Sequence, residues 1–205
     1  LVGIGLGSAV GAALAKNARQ ARLALGWCQA LLCVGMAWAA YMLSASLPFW
    51  PIDPSLADSP WFNFQIDFVR SLWVSLPATL LWGASFPLAL TALVSAGQDP
   101  ARLVGRVYAA NTIGAIVGSL VTSVFLISTI GSQHTMQLLI LLSGISALVV
   151  LEPVAGATVV KGAWLRFAAV VVIVMAGCGW LMTRAVPELP GLLVAYGRFT
   201  ATKAN

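Results

Sequence analysis

Apolar residues in this chain come in long blocks separated by short polar stretches. The longest block covers 107–151 and holds no Asp, Glu, Lys or Arg. A hydrocarbon layer of about 30 Å takes about 20 apolar residues to cross as a helix, so this block is long enough for two crossings with a turn between them. The same measure predicts spans at 1–15, 23–47, 68–96, 103–130, 135–151 and 163–182. The expected fold is all-α: a polytopic bundle of about six transmembrane helices occupying 1–183. The first span is too short to cross alone and the chain opens on Leu1, so a longer parent chain is expected.

After span six the pattern changes. The stretch TRAVPELPGLLVAYGRFTATKAN contains Pro187, Pro190 and Gly191, which read as a linker. Residues 193–204 then alternate like a strand. Segment 184–205 is therefore expected to be a linker and the start of a truncated soluble domain.

Composition agrees with the pattern. Of 205 residues, 60% are hydrophobic and 8% are charged. A soluble domain carries about 25% charged residues, so this sequence cannot supply a soluble surface. The net charge of +5 does not point to nucleic acid, because the eleven Lys and Arg are scattered at span ends. Cys28, Cys33 and Cys178 match no metal spacing and read as small apolar packing residues. No cofactor is expected.

Charge gives the spans an orientation. Loop 16–22 (KNARQAR) carries three cations, Arg102 and Arg106 follow span three, and Lys161 and Arg166 precede span six. Loop 48–67 carries Asp53, Asp58 and Asp67 without a cation, and the turn at 131–134 is uncharged. Basic and non-basic loops thus alternate as the positive-inside rule expects. Loops 16–22, 97–106 and 152–166 are expected in the cytoplasm. Loop 48–67, with its cluster of Trp50, Trp61, Phe49, Phe62 and Phe64, and the turn near His134 are expected on the other side.

Small residues recur every four positions at Gly3, Gly7 and Gly11, and again at Ala110, Gly114 and Gly118. This spacing lets helix backbones approach closely in lipid, and spans one and four are expected to pack through these two faces. Asp99-Pro100 reads as an N-cap followed by a first helical residue. Arg102 and Arg106 share one face behind it, suited to a lipid phosphate, a partner, or simple anchoring at the surface. Asn111 lies deeper, where an amide needs a hydrogen-bond partner. Pro87 removes one backbone donor and is expected to kink span three. No nucleophile–base pair, phosphate loop or metal cluster is recognisable.

The stretch WGASFPLALTALV, followed by DPARLVGRVYAANTIGAIVGSLVTSVFLISTIGSQ, resembles the membrane domain of fused major-facilitator-type/spermidine-synthase-like bacterial proteins. The opening LVGIGLGSAVGAALAKNAR resembles an earlier helix of that domain with its basic loop, and AYGRFTATKAN resembles the start of the synthase-like domain. The resemblance covers most of the chain and is strongest over 82–131. It implies a major-facilitator-like half in a bacterial inner membrane. It also implies that any aminopropyltransferase-type chemistry belongs to a C-terminal domain whose residues are not present here.

The expected function is therefore an integral membrane domain that serves as an anchor or as a subunit of a larger assembly. Its expected partners are the lipid bilayer and other membrane subunits. A transport module for a small solute such as a polyamine is the first alternative. The membrane part of an intact aminopropyltransferase-like enzyme is the second.

Overall fold

The computed structural model describes the backbone of residues 1–47, 50, 59–94, 99–155 and 161–185. Expectations for loop 48–58, for 95–98, for 156–160 and for the tail from 186 lie outside the described residues. The described chain is helical, with no strand among the described residues. Its α-helices are α1 (Val2–Leu14), α2 (Ala18–Tyr41), α3 (Pro60–Ala92), α4 (Pro100–Leu120), α5 (Ile127–Ala155) and α6 (Lys161–Ala185). π-helical segments extend α2 (Met42–Ser46) and join α4 to α5 (Val121–Leu126).

Local chemistry sets where three of these helices begin. The Asn17 side chain accepts from the Gln20 amide at 2.9 Å and caps α2. Ser59 caps α3 through the Phe62 amide at 3.4 Å, with Pro60 in the first turn. Asp99 caps α4 through the Ala101 amide at 3.0 Å, again followed by a proline. Each cap satisfies a backbone N–H that the first turn leaves without an internal partner. The Ser-Pro start moves the beginning of α3 to Pro60, eight residues before the start at 68 expected from apolar counting. Trp61, Phe64 and Phe68 consequently stack along the first turns of α3, with ring centroids 5.6 and 6.0 Å apart, and do not form a loop cluster.

Among the described residues, three helices are long and apolar enough to cross a membrane: Ala18–Ser46, Pro60–Ala92 and Ala101–Leu151. Val2–Leu14 and Ala169–Leu181 are shorter apolar helices. The run Ala101–Leu151 is broken at Gly131, whose φ of 78° and ψ of 168° are not helical. That corner of backbone space is open essentially to glycine alone.

Contacts fix the relative directions. Gly3, Gly7 and Gly11 meet Thr79, Leu80 and Ala84 in order, so α1 runs parallel to α3. Cys28 faces Leu81 while Trp38 faces Trp73, so α2 runs antiparallel to α3. Arg22 faces Val150 while Cys33 faces Ile140, so α2 is antiparallel to α5 as well. Gly144 meets Ala176 while Ile140 meets Gly179, which makes α6 antiparallel to α5. α1, α3 and α5 thus run one way and α2 and α6 the other.

α2 is the centre of the bundle and packs on α3, α5 and α6. Its buried residues are mostly small: Ala21, Cys28, Ala30, Cys33 and Ala37. They join Ala84 and Leu88 of α3, Ile140, Ala147 and Leu151 of α5, and Val172 of α6 in three core clusters. α4 differs from the rest. All of residues 108–121 are exposed, and α4 meets α3 through an edge-to-face contact of Tyr108 with Phe86, 6.3 Å between centroids.

Candidate functional site

The candidate site residues Asp99, Arg102, Arg106 and Asn111 lie together on the first three turns of α4. The Asp99 carboxylate holds the helix start, and its carbonyl accepts from the Leu103 amide at 3.1 Å. Arg102 and Arg106 are exposed, one turn apart. Asn111 is exposed, and its side chain makes no hydrogen bond among the described residues. A helix turns about 100° per residue, so Asn111 lies roughly opposite Arg102 and shares its side of α4 with Gly114 and Gly118.

The two small-residue faces have different fates. Gly3, Gly7 and Gly11 are buried against α3. A Cβ on Gly7 would collide with the Leu80 carbonyl, and one on Gly11 would come within 2.6 Å of the Ala84 carbonyl. α3 answers with a glycine of its own, because a Cβ on Gly83 would collide with the Ile4 carbonyl. By contrast, Gly114 and Gly118 have nothing within 4 Å of a Cβ, and Ala110 is exposed. The pairing expected between spans one and four is not made. The face of α1 is taken by α3, whose own small residues Gly83 and Ala84 accommodate it.

The polar groups that matter most inside the bundle were not singled out from sequence. α3 runs through Pro77 and Pro87, and each proline leaves a carbonyl four residues earlier without its helical donor. Those carbonyls belong to Trp73 and Gly83. Trp38 Nε1 donates to the Trp73 carbonyl at 3.0 Å, and Ser8 Oγ donates to the Gly83 carbonyl at 3.1 Å. Thus α2 supplies one missing donor and α1 the other. The indole of Trp38 also packs edge-on to Trp73, 5.6 Å between centroids.

A second set of bonds centres on Gln29 of α2. Its side-chain Nε2 donates to Ser85 Oγ at 3.3 Å on α3, and its backbone carbonyl accepts from Ser143 Oγ at 2.8 Å on α5. The Cys28 and Cys33 thiols donate to the carbonyls of Leu81 and Ile140, at 3.3 and 3.5 Å. At one end, Arg22 Nε donates to the Val150 carbonyl at 3.2 Å, near the end of α5. A polar side chain within an apolar span was the available signal for Gln29, but its partners could not be read from spacing.

These groups bind helices to one another. Ser8, Gln29, Trp38 and Ser143 are engaged with neighbouring helices, and none of them is a titratable group. His134 lies where α5 begins after the break, with Nδ1 3.0 Å from the Ile130 carbonyl. No group of three or more His, Cys, Asp or Glu that could hold a metal occurs among the described residues.

The described residues are thus all helical, and among them three helices are long and apolar enough to cross a membrane. No family model, curated protein or solved structure matches it.

Proposed function

We propose that this chain is an integral membrane domain that serves as an anchor or as a subunit of a larger membrane assembly. The observation that carries the reading is the uncovered length of α4. Residues 108–121 of an apolar helix are exposed, Ile113, Ile116, Val117 and Leu120 among them. Such a surface is stable against lipid or another apolar helix and unfavourable in water. The opposite directions of α2 and α6 against α1, α3 and α5 fit the proposed bundle of about six crossings, as in a major-facilitator-like half, with the basic loops in the cytoplasm of a bacterial cell. The likeness to spermidine-synthase-like membrane domains remains part of the proposal.

Extraction from membranes in a mild detergent, followed by native mass measurement, tests this reading. The expected result is a chain that resists alkaline carbonate washing and travels in a complex larger than one copy. Release by carbonate would remove the membrane assignment. A monomer that takes up a polyamine into proteoliposomes would replace the anchor by a transporter.

A further inference from the structure

The fold gathers positive charge at one end of the bundle, and it does so in a particular arrangement. The end of α1, the start of α2, the end of α3 and the start of α4 share that end. Lys16 comes from the α1–α2 connection, Arg19 from the first turn of α2, and Arg102 and Arg106 from the start of α4. All four are exposed, and none of their side chains makes an ion pair or hydrogen bond among the described residues. Arg22 lies at the same end and keeps its charge, with its Nε donating to the Val150 carbonyl.

The two pairs sit on either side of α3. Ala15 and Ala21 pack in one cluster with Leu88 and Ala92, which puts Lys16 and Arg19 beside the last turns of α3. Tyr108 meets Phe86, which puts α4 against the same turns. Phe86 and Leu88 are two residues apart and therefore lie on nearly opposite faces of that helix.

We propose that this end of the bundle binds the headgroups of anionic phospholipids, with Lys16 and Arg19 on one side of α3 and Arg102 and Arg106 on the other. The inference rests on the membrane reading above and adds a partner to it. Charge complementarity selects the occupant. Four cations in no ion pair among the described residues, with the Asp99 carboxylate engaged at the start of α4, lie where an apolar bundle meets the headgroup layer, and a phosphodiester is the anion present there at high local concentration. The orienting role of Lys and Arg during insertion explains why they lie on one side. It leaves their charge unneutralised once the protein is in place. Basic residues near a membrane surface each contribute about 1 kcal/mol toward anionic lipid, or about fivefold in association per cation.

The experiment uses the full chain in phosphatidylcholine bilayers containing a trace of spin-labelled phosphatidylglycerol or spin-labelled phosphatidylcholine. The immobilised fraction of each label gives the selectivity. Immobilised phosphatidylglycerol should exceed phosphatidylcholine several-fold at low salt and fall toward parity at high salt, where screening lengths shrink. Lys16→Gln, Arg19→Gln, Arg102→Gln and Arg106→Gln together should reduce the preference several-fold, with Arg22 and Arg166 left at the same end, while helix content by circular dichroism is kept. Equal immobilisation of both lipids by the wild-type protein overturns the inference, as does a preference insensitive to salt. The salt series on the wild type separates these outcomes even where the fourfold variant does not fold. Failure to enter any bilayer is a separate result, and it defeats the membrane reading itself.

Discussion

Ser8 of α1 donates its hydroxyl to the carbonyl of Gly83 in α3, 3.1 Å away, and Pro87 is the reason that carbonyl is available. A proline cannot donate to the residue four before it. In apolar surroundings an unmatched carbonyl is costly. The same relation links Trp38 with Trp73 across from Pro77.

This relation makes a sharp prediction. Ser8→Ala should destabilise the protein by about 1–2 kcal/mol, measured by reversible unfolding in mixed micelles. In a Pro87→Ala background the backbone N–H returns, and the same Ser8→Ala change should cost markedly less. Equal costs in both backgrounds would show that Ser8 does not act by completing the proline site. Trp38→Phe tested with and without Pro77→Ala repeats the logic at the second site.

Glycine substitutions should divide sharply by position. Gly7→Ala would drive a Cβ into the Leu80 carbonyl, which belongs to a backbone and cannot swing aside. Its expected cost is at the upper end of overpacking, about 3 kcal/mol or more. Gly5→Ala and Gly114→Ala meet open space and should leave unfolding unchanged or slightly favour the helix. A loss at Gly114 as large as at Gly7 would mean that α4 is covered by a partner in the material measured.

Gln29 clamps three helices, so its neighbours should be energetically coupled. Ser143→Ala removes the bond from α5 and Ser85→Ala the bond from α3. Interhelical hydrogen bonds of this kind are worth about 0.6 kcal/mol on average, with a maximum near 1.7. Each single change should fall in that range. Gln29→Leu should approach the cost of Ser85→Ala and leave the Ser143 bond intact, because Ser143 binds the Gln29 backbone. Thermal unfolding of the variants checks the order.

Opposite helix directions predict labelling from opposite sides. With Cys28, Cys33 and Cys178 replaced, single cysteines at Gln20 and Ser132, both exposed, should react with an impermeant maleimide from opposite faces of the membrane. Gln20 should be protected in intact cells and Ser132 labelled. Labelling of both from the same face would contradict those directions.

Element type was legible in the apolar blocks because helices that bury this little must carry their polarity at the ends. Boundaries were less so. Apolar counting passed over Pro60, since Trp61 to Asp67 mixes aromatic and polar residues, while the start there is set by Ser59 capping and the proline ring. The glycine repeat of α1 was readable as a close-approach face. Its partner was not, because a repeat specifies that a backbone comes near and leaves open which one. Gly83 and Ala84 of α3 fill that role without a long repeat of their own. Pro87 was legible as a lost donor. The donor that replaces it, Ser8, lies far away in sequence and is one of several unremarkable serines.

Gly131 has a consequence for the arithmetic of the whole chain. Unbroken, the 51-residue apolar run from Ala101 to Leu151 would extend about 75 Å at 1.5 Å per residue, more than twice the roughly 30 Å of a hydrocarbon core. A single backbone position in a conformation reserved for glycine divides it. In a bilayer, that division decides whether the run counts as one crossing or two. It therefore sets the parity of α6, the crossing that follows.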